Sequence, residues 1–262
     1  MHANVLPFPE SEPAVPAPSL RPAPRIAYES PLTTVYHGRA EDVLPLLRTE
    51  SVDLVATDPP YGVGWQSGRR KEAFERIAND LPTDRDLVKQ IIEQCVRVVA
   101  QQRHVYAFGP VDVFDGLKVS DVVQMVWDKG TMGSGDMTSA WGPSHELLNM
   151  TVSKHRHAGK TGLSVLPTRL RKGTVLRYNR PTGKAVRSPS EKPVGLMREI
   201  IESSSRQGDT VLDPFAGSGS TGVAAILSGR RAILVECVPQ WVAMTIERVQ
   251  AAEKIAAEIG AC

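Results

Sequence analysis

Cysteine is scarce in this chain: only Cys95, Cys237 and Cys262 occur among 262 residues. They are scattered and odd in number, and no pair has the spacing of a zinc knuckle or a redox CxxC. Reduced thiols in a cytosolic protein are therefore expected, and no metal. Long apolar runs are also missing, since none approaches the ~20 residues that a membrane span needs. The N-terminus lacks the basic-then-apolar order of a signal peptide. Charge of one sign is lacking too. Lys and Arg number 31 against 29 Asp and Glu, a formal net charge of +2, so global charge announces no polyanionic partner. These absences leave the expectation of a soluble cytoplasmic protein without a membrane partner. The length suits one well-buried α/β domain and is short for two. A hydrophobic content of 41% supports a real core.

Proline sets the beginning of the chain apart. Pro7, Pro9, Pro13, Pro16, Pro18, Pro22, Pro24 and Pro31 remove backbone donors, and few large apolar residues lie between them. Residues 1–30 are read as a disordered tail on that composition. Beyond them, strand patterns alternate with helical ones. Strands are expected at 34–37, 52–57, 104–108, 122–127, 146–152, 210–212 and 232–235. Helical spacing covers 41–48, 86–100, 221–227 and 240–259. In the second of these, Leu87, Ile91, Ile92, Cys95, Val98 and Val99 share one face. Such alternation predicts a largely parallel sheet with helices on both faces.

Two segments carry chemistry. In VLDPFAGSGSTGVAAILSGRRAILVE (Val211–Glu236) a strand runs into Asp213, then Gly217 and Gly219, then a helix. Glycines there permit a sharp turn and close approach of a ligand. Glu236 ends the next strand, where a nucleotide-type βαβ unit carries its ribose-binding acid. The segment has neither the dinucleotide GxGxxG nor the GK[ST] of a phosphate loop. Asp213 would repel a pyrophosphate, so an adenosyl ligand without phosphates fits better. The bland alternative is that the glycines only pack a helix on a strand. In VDLVATDPPYG (Val52–Gly62) an acid follows a buried strand, then two prolines and an aromatic. Ligands bind beyond the C-terminal strand ends of open α/β sheets, and Pro59 and Pro60 would stiffen the loop carrying Asp58 and Tyr61. An ordinary Asp-Pro turn is the alternative.

These residues resemble a family. Asp58-Pro59-Pro60-Tyr61 matches the DPPY motif of amino-group DNA methyltransferases. Asp213-Pro214-Phe215-Ala216-Gly217-Ser218-Gly219-Ser220-Thr221 resembles their DPFxGSGTT cofactor motif. Ser188-Pro189-Ser190-Glu191-Lys192-Pro193 resembles their HPTxKP segment. The catalytic motif precedes the cofactor motif, as in the permuted beta group, and the stretch from Trp127-Asp128-Lys129 to Ser144-His145-Glu146 is similar to phage and prophage members. Ser188 departs from the usual His, Ser220 from a Thr, and Arg39 from the Asp of a Gly-Asp pair that contacts the cofactor adenine. Arg39 cannot accept that hydrogen bond, which leaves Glu41 or Asp42 as substitutes.

The resemblance implies a Rossmann-like S-adenosylmethionine-dependent methyltransferase fold with circularly permuted motif order. It divides the chain into the tail, a catalytic half (31–153), a basic target-recognition segment (154–187) and a cofactor-binding half (188–262). It also implies methyl transfer from S-adenosyl-L-methionine to N6 of adenine in double-stranded DNA. Asp58 and the Pro59 carbonyl would accept hydrogen bonds from the target amine, beside Pro60, and Tyr61 would stack on a flipped base. Asp213, Pro214, Phe215, Gly217, Ser218, Gly219, Ser220 and Thr221 would form the cofactor loop, Glu236 would bind the ribose, and Lys192 would lie near the methionine tail. Pro193 would suit the first turn of a helix. Trp241 would border the adenine or belong to the core. Cytosine-N4 methylation and an inactive DNA-binding subunit are the alternatives, and a homodimer is a candidate assembly.

DNA contacts are expected where basic residues cluster. Between Lys154 and Lys192 stand Arg156, Lys160, Arg169, Arg171, Lys172, Arg177, Arg180, Lys184 and Arg187, against Glu191 alone, a pattern suited to phosphates. Tyr178 and Asn179 could touch bases, and Ser67–Lys71 is a second cluster. His155 and His157 read as surface residues.

Overall fold

Unbroken burial along the central segments Leu54–Thr57 and His104–Phe108 marks a sheet covered on both faces. The computed structural model describes residues 22–60, 84–131, 140–153, 172–181 and 191–260. In chain order they form β1 (Arg25–Glu29), β2 (Thr33–His37), α1 (Ala40–Val43) with a 3-10 turn at Leu44–Leu46, β3 (Leu54–Thr57) and α2 (Arg85–Val98). Next come β4 (His104–Phe108), a 3-10 turn at Val111–Phe114, β5 (Val123–Asp128), β6 (His145–Val152) and β7 (Val175–Arg177). The chain closes with α3 (Val194–Ser204), β8 (Thr210–Asp213), α4 (Ser220–Leu227), β9 (Arg231–Glu236) and α5 (Pro239–Glu258).

Among the described residues the strands make one sheet, ordered β1-β2-β9-β8-β3-β4-β6-β5-β7. From β2 to β4 every pairing is parallel. β1 adds antiparallel to one side, and β6 lies antiparallel to both β4 and β5 on the other. Leu54, Ala56, Tyr106, Phe108 and Val211 point into the core under α3, α4 and α5. Val55, Val105, Ala107 and Leu212 point the other way, against α2 and α1. Phe108, Leu54 and Leu212 are fully buried, and each such side chain stabilises the fold by about 1.5–3 kcal/mol relative to exposure.

Two sequence expectations change. The Pro-rich tail was drawn too far, because Arg25–Glu29 is a strand. RIAYE carries no proline, so its backbone can pair with β2. Tyr28 and Ser30 then donate to the Glu253 carboxylate on α5, at 2.6 and 2.5 Å. The basic segment is also not wholly apart from the catalytic domain: Val175–Arg177 pairs parallel with β5 at the sheet edge. Residues 1–21 and 154–171, the Ser67–Lys71 cluster, His155, His157 and Tyr61 lie outside the described residues. Among the described residues, no helix is long and apolar enough to cross a membrane.

Candidate active site

β3 and β8 are adjacent and parallel, with Val55 opposite Leu212, but their onward connections diverge. β3 leads through α2 to β4 on one side, and β8 leads through α4 to β9 on the other. The helices lie on opposite faces. A crevice therefore opens beyond the carboxyl ends of these two strands, the switch point where doubly wound sheets bind ligands. The two predicted motifs sit at those ends.

Thr57, the last residue of β3, donates from Oγ1 to Asp213 Oδ1 at 2.8 Å. Asp213 also accepts from the Phe215 amide at 3.1 Å and from Thr221 Oγ1 at 2.5 Å. Burial pushes the Asp213 carboxyl up to about 6, although the Thr221, Thr57 and Phe215 hydrogen bonds pull the other way. The acid of the cofactor motif is thus a buried tie between the two strand ends and the first turn of α4.

The loop after Asp213 turns through two left-handed glycines, Gly217 at φ 52° and Gly219 at φ 83°. A Cβ on Gly219 would stand 3.1–3.2 Å from Thr245, its backbone included. One on Gly217 would meet nothing nearer than the Phe215 carbonyl oxygen at 4.0 Å. Gly217 therefore borders open space and Gly219 is pressed against α5. Pro214 is buried, and Phe215, half-buried, packs with the apolar cluster on the α2 face. Arg248 braces the loop, donating to the Ser218 carbonyl at 2.7 Å and to Ser218 Oγ at 3.0 Å, and reaching Ser220 Oγ at 3.4 Å. Thr245 donates to the Gly217 carbonyl at 2.9 Å.

Glu236 closes the far side of this loop. It accepts from the Gly217 amide at 2.9 Å and from the amides of Cys237 and Val238 at 2.8 Å each. Burial raises its pKa, and those three amides oppose the rise. A carboxylate has about four lone-pair sites, so three amides do not exhaust it. The neighbouring Gly38 amide donates to the Glu236 backbone carbonyl at 2.9 Å. Arg39 pairs with Glu41 at 2.5 Å. Trp241 is half-buried in the first turn of α5. An open glycine turn with a carboxylate on its flank and no phosphate-type lysine fits an adenosyl ligand with a short amino-acid tail.

Asp58 follows β3 directly and is half-buried, with Pro59 and Pro60 buried behind it. Lys192 comes to it from the other half of the chain, and its ammonium donates to Asp58 Oδ2. The same ammonium stands 3.1 Å from Glu146 Oε2, a charge contact not aligned as a hydrogen bond. Glu146 Oε1 pairs in turn with Lys129 at 2.7 Å. Phe108 and Trp127 lie beneath the Lys192 ammonium, with ring centroids at 4.8 and 5.9 Å. Burial by itself would lower the Lys192 pKa, but Asp58 and Glu146 outweigh it and the pKa is raised. Glu146 is held low although its burial acts upward, chiefly by Lys192.

Asp58 and Lys192 are both legible in the sequence but not their contact; Lys129 and Glu146 stand there only as parts of a similar stretch, and Thr245 and Arg248 carry no motif. A signal existed for two of these: Lys129 and Glu146 are charges at the ends of strongly apolar strand patterns. Tyr178, a candidate base contact, is also bonded within the fold. Its hydroxyl donates to Glu199 at 2.6 Å, and its carbonyl accepts from the Trp127 indole at 2.7 Å. Arg177 remains an exposed cation, 76% accessible and 3.6 Å from Asp128.

A family model described as a DNA methylase matches residues 52–247. The DNA adenine methyltransferase YhdJ of Escherichia coli (strain K12) is 29% identical over 256 residues, covering 86% of this chain and 85% of that protein. The type II methyltransferase M.HinfI of Haemophilus influenzae is 23% identical over 248 residues, covering 84% and 68%. Among solved structures, the M1.HpyAVI complex with S-adenosylmethionine superposes with a TM-score of 0.60 at 20% identity, covering 83% of this chain and 99% of that one. The PvuII cytosine-N4-specific DNA methyltransferase gives 0.63 at 16% identity, covering 89% and 94%. These structures share the Rossmann-like methyltransferase fold.

Proposed function

The chain belongs to the DNA methylase family, and from that membership and the crevice at the β3 and β8 ends we propose that it transfers a methyl group from S-adenosylmethionine to N6 of adenine in double-stranded DNA. The observation that carries this reading is the juxtaposition of Asp58 and the glycine loop, tied by the Thr57–Asp213 hydrogen bond at 2.8 Å. The adenine-specific relative supports the choice of base.

The cofactor supplies an electrophilic methyl on a sulfonium. The open side of Gly217 suits its amino-acid tail, and Glu236 suits its ribose hydroxyls. An exocyclic amine is a poor nucleophile because its lone pair is delocalised into the ring. Asp58 and the Pro59 carbonyl would accept hydrogen bonds from its two N–H groups and stabilise the positive charge that develops as nitrogen bonds the methyl carbon, the carbon–sulfur bond breaks to leave a neutral thioether, and the amine then gives up one proton. The β3–β8 tie would hold the amine in line with the methyl group, so the reaction gains from proximity. A base inside a duplex cannot reach a crevice at a strand end, so it must be flipped out. Tyr61 would stack on it. Arg177 and the basic residues around it would hold phosphates. The compartment is the cytoplasm, in keeping with Cys95 and Cys237, which are unpaired.

Cytosine N4 is the second reading, favoured by the likeness to a cytosine-N4-specific fold neighbour. Both amines could use the same two acceptors. The test is transfer of labelled methyl from S-adenosylmethionine to unmethylated genomic DNA, with nucleoside analysis of the product. N6-methyladenine is expected, with Asp58→Ala slower by about 100-fold or more. N4-methylcytosine would overturn the base. Cofactor binding with no transfer to any DNA would point to an inactive binding subunit.

A further inference from the structure

The Lys192 ammonium is buried in the crevice, with 8% of its side chain accessible. A buried ammonium is costly unless it is paired, and here its partners come from four places. Asp58 belongs to the catalytic loop, Glu146 to β6, and the Phe108 and Trp127 rings to β4 and β5. Lys129 completes a row of alternating charges, Asp58, Lys192, Glu146 and Lys129, with no net charge. The adjacent residue anchors this lysine to the cofactor side: Glu191 pairs with Arg248 at 2.8 Å, and Arg248 holds the Ser218 carbonyl. One dipeptide therefore grips the catalytic carboxylate with one residue and the glycine loop with the next.

Pro59 and Pro60 fix the backbone after Asp58, but they do not fix the rotation of its carboxylate. A hydrogen bond from a buried, four-sided ammonium does. We propose that Lys192 is a positioning residue for Asp58, orienting the catalytic carboxylate toward the target amine, and that Glu146 and the two rings hold Lys192 in place for this task. The inference rests on the methyl-transfer reading and departs from the sequence expectation, which put Lys192 beside the methionine tail of the cofactor.

The two assignments separate by kinetics. Lys192→Met, Lys192→Arg and Glu146→Gln would be made in the full chain, with thermal midpoints checked first. Turnover on DNA and calorimetric binding of S-adenosylmethionine without DNA would be measured for each. A misoriented carboxylate should lower kcat in Lys192→Met by about 100-fold, with cofactor affinity unchanged. Lys192→Arg, which keeps the charge and can stack on the rings, should recover part of the loss. Glu146→Gln, which leaves Lys192 on Asp58 but loosens it, should fall between. Weakened cofactor binding with kcat kept at saturation would make Lys192 a cofactor ligand and overturn the proposal. An unchanged kcat in Lys192→Met would overturn it as well. Should that variant not fold, an unchanged kcat in Glu146→Gln serves the same purpose. An inactive parent enzyme would instead defeat the methyl-transfer reading.

Discussion

Two buried titratable residues give this protein opposing responses to acid. Asp213 is 3% exposed, and burial lifts its pKa from 3.8 to about 6. A carboxyl whose pKa rises on folding binds its proton more tightly in the folded state. The stability it confers is present below pH 3.8 and lost as pH rises through about 6. His104 is 7% exposed, and burial, helped by Arg103, lowers its pKa from 6.5 to about 4. Its contribution is present above pH 6.5 and lost as pH falls through about 4. One pKa unit is about 1.4 kcal/mol, so each group moves stability by about 3 kcal/mol, in opposite directions. Urea unfolding from pH 6.5 to 4 tests both. Asp213→Asn should lose stability on acidification more steeply than the parent, and His104→Gln less steeply. A profile for Asp213→Asn parallel to that of the parent would sink the account. His104 was legible in the sequence only as the start of an apolar strand. Its bond to Ser204, 2.6 Å away in space and 100 residues along the chain, has no local signature.

At the scale of elements, the strand–loop–helix unit of β8 and α4 was the most legible part of the chain. The turn after Asp213 needs positive φ, and glycine adopts it without steric cost, so Gly217 and Gly219 stand where the backbone demands them. Gly219 is further constrained, since any Cβ there meets the Thr245 backbone. Gly219→Ala should therefore cost about 1–3 kcal/mol of stability, read by denaturant midpoint. It should weaken S-adenosylmethionine binding more than it weakens turnover at saturation, and a full-strength binding isotherm would refute this. The β3, β4, β6 and β9 patterns were equally plain because burial on one or both faces imposes period 2 or an unbroken apolar run. β1 was missed because flanking prolines coloured the composition of its window. β7 is three residues long, too short for any period, and is held by pairing with β5.

For the whole molecule, the near-balanced charge conceals a basic stretch between the two halves of the fold. If that stretch holds DNA through phosphates, KM for DNA should rise steeply with salt while kcat at saturating DNA stays level, because binding releases counterions. A flat KM between low and physiological salt would count against phosphate contacts there. By itself the sequence determined the fold class and the order of the two motifs, and it singled out the glycine loop and Asp58, to which the proposed function gives their roles. Each of these rests on short-range constraints, namely glycine and proline backbone preferences and the periodicity of buried strands. Only the tertiary structure decided what those residues touch. Thr57 and Asp213 are 156 residues apart, and Lys192 and Asp58 are 134 apart. Their pairings exist because the parallel sheet brings β3 beside β8 and Lys192, just before α3, meets Asp58 at the end of β3. A charge pair closed by topology leaves no pattern along the chain, so the contact between Lys192 and Asp58 could not be read from the motif that carries Lys192.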